Sequence, residues 1–471
     1  MATEIKTDLC VIGAGSGGLS VAAGAVQMGA DVVLIEGGRM GGDCLNYGCV
    51  PSKALIAAAK HAHAMTTGAP FGITPVKPQV DFAAAKDHVF SAIEVIKPHD
   101  SVERFEGLGV RVIQKYARFD GPRQVLAGDK RIRARRFVIA TGSSPFVPPI
   151  PGLDRIRHFT NENIFELRRK PRRLLVIGAG PIGLEMAQAH SRLGCEVVVI
   201  EGLVALGRSY EPHAKVVLEQ LREEGVEIHE GTSAAIIGQH EDAIQVVSDT
   251  GSVFEGSHLL VAVGRKPNID RLDLESAGVK ATRGGITVDA SLRTSNRRIY
   301  AIGDVTGGAQ FTHVAGYHAG VVVKSALLGL PSKARTNHIP SATYTDPEIA
   351  EVGMTEDEAR RAHGDRVEAV SFDFKDNDRA IAEGSRIGQI RVLVVRGKPV
   401  GASIVGAQAG ELIQIWALAI ANGLKMSAIA NMVSPYPTLG EVNKRAAGAY
   451  FAKRLFGSAS LKRLVRLVQR F

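Results

Sequence analysis

Residues 9–37 read LCVIGAGSGGLSVAAGAVQMGADVVLIEG, and residues 174–202 read LLVIGAGPIGLEMAQAHSRLGCEVVVIEG. The two segments align without a gap at an offset of 165. Each runs from an apolar strand through G-x-G-x-x-G into an Ala-rich helix, then into a second strand ending in an acid. Gly13 and Gly178 permit a tight turn. Gly15 and Gly180 let backbone approach a pyrophosphate, and Gly18 and Gly183 let the helix pack against the sheet. The helix N-terminus then faces the phosphates. Glu36 and Glu201 close the second strands, each 23 residues past the first glycine, where a carboxylate can bond ribose hydroxyls. A single such motif is weak, but two copies with strand, helix and acid imply two bound dinucleotides. Glu201 accepts a 2′-hydroxyl and repels a 2′-phosphate, which favours NADH over NADPH, although Arg208 lies close enough in sequence to compensate.

Just past the first module comes Cys44-Leu-Asn-Tyr-Gly-Cys49, preceded by Gly41 and Gly42 and followed by Val50-Pro51-Ser52-Lys53 and the helix-forming run Ala54 to Ala64. A thiol at a helix start feels the positive end of the helix, which favours thiolate. Such a pair can close and reopen. A structural disulfide is the blander reading, but it is rare in a chain without a secretory signal. A zinc site would need a second cysteine pair, which is absent. Cys10, inside a strand, and Cys195, just before one, read as small buried hydrophobes. No metal site is expected.

At 471 residues, with 45% apolar residues and 52 glycines, the chain fits a multidomain α/β protein better than a helical bundle. No apolar run reaches the roughly 18 residues of a membrane span. Met1 to Lys6 runs straight into a strand, so a cytoplasmic protein is expected. The net charge of +9 is largely a tail property, because Lys453, Arg454, Lys462, Arg463, Arg466 and Arg470 stand there without an acid. No nucleic-acid motif accompanies it. Further glycine-marked strand ends follow the modules: Arg136 to Thr141-Gly142, Leu259 to Gly264 with Arg265-Lys266-Pro267-Asn268, and Ile299 to Gly303-Asp304. Asp304 suits a ribityl or ribose hydroxyl, and equally a helix cap.

In this order, the first module, G-G-x-C-x-x-x-x-C-V-P-S-K, the A-T-G strand end, the second module, G-R-x-P-N and A-I-G-D resemble the pyridine nucleotide-disulfide oxidoreductases over nearly the whole chain. The resemblance implies an α/β fold with two Rossmann-like domains, binding FAD and NAD(P), plus a C-terminal α+β dimerisation domain. The expected boundaries are 1–149 for the FAD domain, 150–268 for the NAD(P) domain, 269–338 for a continuation of the FAD domain and 339–471 for the dimerisation domain. The resemblance also implies a homodimer with a shared active site. Cys49 would be the flavin-proximal thiol and Cys44 the outer, interchange thiol. Lys53 would lie by the flavin and pair with Glu185, although an ordinary salt bridge would use the same two residues. Gly42, Ala117, Thr141, Gly142, Asp304, Thr312 and Gly264 join the two glycine motifs, Glu36 and Glu201 as cofactor contacts, with Thr312 and His313 starting a helix beneath the flavin. Electrons would pass between NADH, FAD and the Cys44–Cys49 pair, as in dihydrolipoamide dehydrogenase.

The chain departs from the family near its C-terminus. Disulfide-acting members carry His-Pro-Thr-x-x-Glu, whose histidine is the general base. Here residues 436–441 read Tyr-Pro-Thr-Leu-Gly-Glu, so Glu441 stands but Tyr436 replaces the base. A phenol with a pKa near 10 is a poor base at neutral pH, and losing a matched base typically costs about 10²–10⁴ in rate. Mercuric reductases resemble the chain in having this tyrosine, yet they carry a C-terminal cysteine pair that is missing here. The reading is therefore a dithiol/disulfide oxidoreductase with a small-molecule or lipoyl-protein acceptor, against a metal-ion or quinone reductase using the same relay. A third reading is a flavoprotein that docks through its tail. From Ala459 to Phe471, Leu461, Leu464, Val465, Val468 and Phe471 recur at helical spacing among the cations. Such a helix can pack on its own dimer, or lie on a membrane or a partner.

Overall fold

Leu9–Ile12 is buried on both faces, as an unbroken apolar run in a central parallel strand should be. The computed structural model describes residues 3–470. Met1, Ala2, Phe471 and the Lys453 side chain lie outside the described residues. Two compact units result: Met1–Thr67, Pro75–Gly202 and Thr232–Arg335 form one, and Gly68–Thr74, Leu203–Gly231 and Thr336–Phe471 the other.

The first unit begins with β1 (Thr3–Ile12), α1 (Ser16–Gln27), β2 (Val32–Ile35), α2 (Gly42–Asn46), α3 (Cys49–Ala64), α4 (Phe82–Ile96), β3 (Arg111–Ile113), β4 (Ala117–Phe119), β5 (Gln124–Ala127) and β6 (Lys130–Ile139). Their sheet order is β3-β2-β1-β6-β5-β4. The β3–β2–β1–β6 run is parallel, and the β4–β5–β6 arm is antiparallel. One edge of β6 is divided: Lys130–Arg133 pairs with β5, while Phe137–Ile139 pairs with Ile299–Ala301. β1 starts earlier than its apolar run suggests, because Thr3 to Thr7 pairs with the polar first half of β6. The alternating residues Cys10, Ile12, Val33, Ile35, Phe137 and Ile139 fill the core on one face of the sheet. Leu9, Val11, Leu34 and Val138 fill the other, against Leu19 and Ala22 of α1.

The second module repeats this geometry with β7 (Arg173–Ile177), α5 (Pro181–Arg192), β8 (Glu196–Ile200) and β9 (His258–Val261), in which β8 and β9 flank β7 in parallel. Gly13 and Gly178 have φ of 105° and 104°. This left-handed region is one that side-chain-bearing residues rarely enter. A Cβ on Gly18 or Gly183 would strike the carbonyl oxygen of Gly13 or Gly178 respectively. The repeat extends to the helix stops, Gly29 and Gly194, with φ of 86° and 88°. α6 (Thr312–Leu327) completes the unit, placing Ala319 and Val322 in the core with α1.

One buried cation stands apart. Lys86 in α4 is fully buried, its ammonium 5.1 Å from the Phe82 ring centroid, 5.7 Å from that of Phe165 and 3.3 Å from the Ile164 carbonyl. Burial lowers its pKa to about 7.

The second unit is built on an antiparallel sheet of β10 (Pro340–Thr343), β11 (Glu348–Gly353), β12 (Val367–Asp373), β13 (Gln389–Val395) and β14 (Lys398–Gly406), in the order β10-β11-β14-β13-β12. Trp416, Val442, Ala446 and Tyr450 lie in its core. The buried Trp416 indole donates to Asn443 Oδ1 at 2.7 Å, and Asn443 donates to the Leu412 carbonyl at 3.1 Å. These bonds fix α7 (Glu441–Gly457), which α8 (Ala459–Val468) follows. No helix of the described residues is long and apolar enough to cross a membrane.

Candidate active site

The thiol pair is held by backbone that only glycine allows. Gly41 and Gly42 have φ of 83° and 58°, and a Cβ on Gly42 would sit 2.7 Å from the Cα of Gly15. The Cys44 helix is thus packed directly on the first glycine turn. The Asn46 amide locks this arrangement by donating to the carbonyls of Met40 and Gly42, at 3.0 and 2.9 Å. Cys49 is the first residue of α3, so the helix begins at the thiol itself rather than at Ala54.

Cys44 and Cys49 are both thiols, hydrogen-bonded to one another. Cys49 Sγ also lies 3.3 Å from Thr312 Oγ1, at the first residue of α6. The bond from Cys44, helped by Thr312 and the nearby Lys53 ammonium, lowers the Cys49 pKa to about 6 against the effect of burial. The same bond, with burial, drives Cys44 upward. Of the two thiols, Cys49 is the one held toward thiolate and Cys44 the one held toward its protonated form. Cys10 and Cys195 are buried, which raises both thiols, Cys195 to about 11.

One turn beyond Cys49, Lys53 Nζ meets Glu185 Oε2 of α5 at 2.8 Å; the Glu185 side chain is only 6% exposed. The three later strand ends converge on a network in which the G-R-x-P-N arginine is central. Arg265 bonds Asp43 Oδ1 at 3.0 Å, Ser143 Oγ at 2.7 Å and the Ser143 carbonyl at 2.8 Å. Ser143 in turn donates to Asp304 Oδ2 at 2.6 Å. Burial raises the Asp304 carboxyl above its usual range. Asp304 lies within a short 3₁₀ turn, Gly303–Thr306, whose N-cap is Ile302, so the helix-cap reading does not hold. Thr141 Oγ1 donates to the Asn268 carbonyl at 2.7 Å, and Asn268 returns a bond to the Thr141 carbonyl at 3.0 Å. Gly142 and Gly264 have φ of 68° and 131° beside these contacts. Ala117 is buried at the start of β4.

The residues fit two dinucleotides. A Cβ added to Gly180 would meet nothing within 4 Å, and one on Gly15 would meet only Gly42 Cα at 3.9 Å, so each glycine keeps an approach to its helix N-terminus open. Glu36 Oε2 accepts from the Ala14 amide at 2.6 Å, and Glu201 Oε2 from the Ala179 amide at 2.7 Å, which sets each acid against its glycine turn. A cavity of about 360 Å³ runs from Ser16 past Gly41 and Cys44 to Thr312, with Arg104 on its wall.

In the second unit Tyr436 is 69% exposed, and its hydroxyl donates to Asp378 Oδ2 at 3.0 Å. That carboxylate raises the phenol's pKa further. The bonded acid is thus Asp378, whereas Glu441 opens α7, where its charge suits the helix N-terminus. Asp378 lies 58 residues upstream of Tyr436, and no local pattern marks it.

The family model for pyridine nucleotide-disulphide oxidoreductases matches residues 7–319, and that for the family's dimerisation domain matches 339–447. The chain belongs to the pyridine nucleotide-disulphide oxidoreductases. Among its relatives, the mercuric reductase of Lysinibacillus sphaericus is 34% identical over 454 residues, covering 94% of this chain and 82% of that protein. The dihydrolipoyl dehydrogenase of Thermus scotoductus is 35% identical over 466 residues, covering 94% and 97%. The Cu(II) complex of the HOCl-induced flavoprotein disulfide reductase RclA from Escherichia coli superposes with a TM-score of 0.84 at 27% identity, covering 93% of this chain and 99% of that one. As a member of this family the chain is an oxidoreductase acting on sulfur groups, with FAD and NAD(P)H as its cofactors. The dimerisation domain supports a homodimer.

Proposed function

We propose that the chain is an NADH-dependent reductase that sends electrons outward through Cys49 and then Cys44, to a disulfide or another acceptor that need not be deprotonated. The observation that carries this is the Tyr436–Asp378 bond. Oxidising a dithiol requires a base to take the substrate's proton, and a phenol already donating to a carboxylate is a poor one at neutral pH. Reducing a disulfide instead releases thiolate, which a protonated hydroxyl can meet. FAD, when bound, supplies the two-electron link between nicotinamide and the thiol pair. Cys49 offers the sulfur stabilised as thiolate, and Lys53 holds positive charge beside it. Cys44 would give its proton to Cys49 as it attacks the acceptor, the proton leaving with the released thiolate as the Cys44–Cys49 disulfide closes. Tyr436 and Glu441 would be contributed across the dimer. Glu201 supports NADH over NADPH. A cytoplasmic setting, where thiols stay reduced, agrees with this direction of flow.

A second reading, reduction of a soft metal ion, is favoured by Tyr436 and by the mercuric reductases among the relatives. The test compares NADH oxidation driven by lipoamide, glutathione disulfide, Hg²⁺ or a quinone with NAD⁺ reduction driven by dihydrolipoamide. Outward flow should dominate, and Tyr436→His should raise dihydrolipoamide oxidation by about 10²-fold or more. Dihydrolipoamide oxidation that matches lipoamide reduction in the unaltered enzyme would overturn the reading.

A further inference from the structure

Downstream of the matched dimerisation domain, which ends at residue 447, the chain forms the rest of α7 and then α8. Ser458 starts α8 cleanly, its side chain accepting from the Leu461 amide at 3.3 Å. No residue of α8 is buried. Leu461, Leu464, Val465, Leu467 and Val468 are 41–60% exposed, and Leu455 and Phe456 just before them are 50% and 73% exposed. At 100° per residue, the five α8 aliphatics occupy one arc of roughly 160°, and Lys462, Arg463, Arg466 and Arg470 a separate arc of roughly 100°. From 442 to 471 the sequence holds eight lysines and arginines and no acid.

We propose that α8 is an in-plane anchor that lays its aliphatic arc into an anionic phospholipid surface while its cations meet the headgroups. The helix is ten residues long, about 15 Å, which is half the thickness a membrane span needs. Lying flat is the geometry left to it. The choice of occupant follows from charge. A second copy of the tail would bring cations against cations. A leaflet of anionic headgroups complements every charge on the helix, and long basic side chains can reach those headgroups while their stems lie along the acyl boundary. This inference does not depend on which acceptor the thiol pair reduces.

The test is sedimentation of the full-length holoenzyme with vesicles of equimolar phosphatidylglycerol and phosphatidylcholine, beside vesicles of phosphatidylcholine alone. The enzyme should pellet with the anionic vesicles only. Each cation removed should lower partitioning about fivefold, so Arg463→Gln with Arg466→Gln should lower it about 25-fold. Leu464→Glu should abolish pelleting and leave NADH oxidation with a soluble dye unchanged. Four results would overturn the proposal: no pelleting with anionic vesicles, undiminished pelleting of Leu464→Glu, conversion of dimer to monomer on truncation after Gly457, or retention of α8 by a protein partner while vesicles stay unbound.

Discussion

Replacing Thr312 with valine removes one hydroxyl beside the thiol pair and keeps the branched shape of the side chain. The hydroxyl lies 3.3 Å from Cys49 Sγ and stabilises its thiolate. A hydrogen bond to a charged group contributes about 1.5–3 kcal/mol, and sulfur is a weak acceptor, so about 1.4 kcal/mol is a fair value here. That equals roughly one pKa unit. The Cys49 midpoint, about 6 in the unaltered protein, should therefore rise to about 7. At pH 6.5 the thiolate fraction falls from roughly three quarters to roughly one quarter, and the alkylation rate falls with it about threefold. By about pH 8.5 the two proteins should react alike. The assay is iodoacetamide labelling of the reduced protein against pH, with the labelled cysteine located by mass spectrometry. Lys53→Met should produce a smaller shift in the same direction, because its charge acts at longer range than the two hydrogen bonds. An unmoved midpoint in Thr312→Val, or faster labelling of Cys44 than of Cys49, would refute the reasoning.

Other expectations follow from the same geometry. Lys86→Met should stabilise the protein. The folded pKa of Lys86, about 7, lies below the ordinary 10.5, so the folded state binds fewer protons between those values and stability rises with pH across that window. The gain should be about 4–5 kcal/mol at pH 7 and below, and nearly gone by pH 10.5, in urea melts run against pH. Gly180→Ala should leave the melting temperature unchanged and raise KM for NADH about tenfold or more, because its Cβ meets only open space. Gly183→Ala should instead cost about 2 kcal/mol of stability, since its Cβ strikes the Gly178 carbonyl. Glu201→Gln should lower the NADH-to-NADPH ratio of kcat/KM about tenfold in steady-state assays, by removing a charge that repels a 2′-phosphate.

The glycine modules were legible because their demands are local: a left-handed turn, a close helix approach and a strand-end acid all fall within 30 residues. The thiol pair was legible for the same reason. The Lys53–Glu185 contact came from the family resemblance, its partners standing 132 positions apart. What stayed hidden depends on register between distant strand ends. Arg265 stands in the G-R-x-P-N motif, yet it reaches Ser143 because Arg265–Pro267 pairs antiparallel with Ser143–Pro145, and it bonds Asp43 from there. Asp378 had no signal at all, being one exposed acid among many. Lys86 reads as a surface residue of an amphipathic helix until Phe82 and Phe165 are seen to cover it.

The two strand-end acids already hold the turns that they would use to read a ribose. Glu36 bonds the Ala14 amide through one oxygen and the Gly38 amide through the other, and Glu201 bonds the Ala179 amide. Recognition and loop closure thus share one side chain in each half of a duplicated design. A descendant of this protein that switched nucleotide preference by discarding Glu201 would loosen its own turn in the same mutational step. The accessible evolutionary route keeps an acceptor at that position and adds a cation elsewhere, so new specificity should arise around the acid rather than at it.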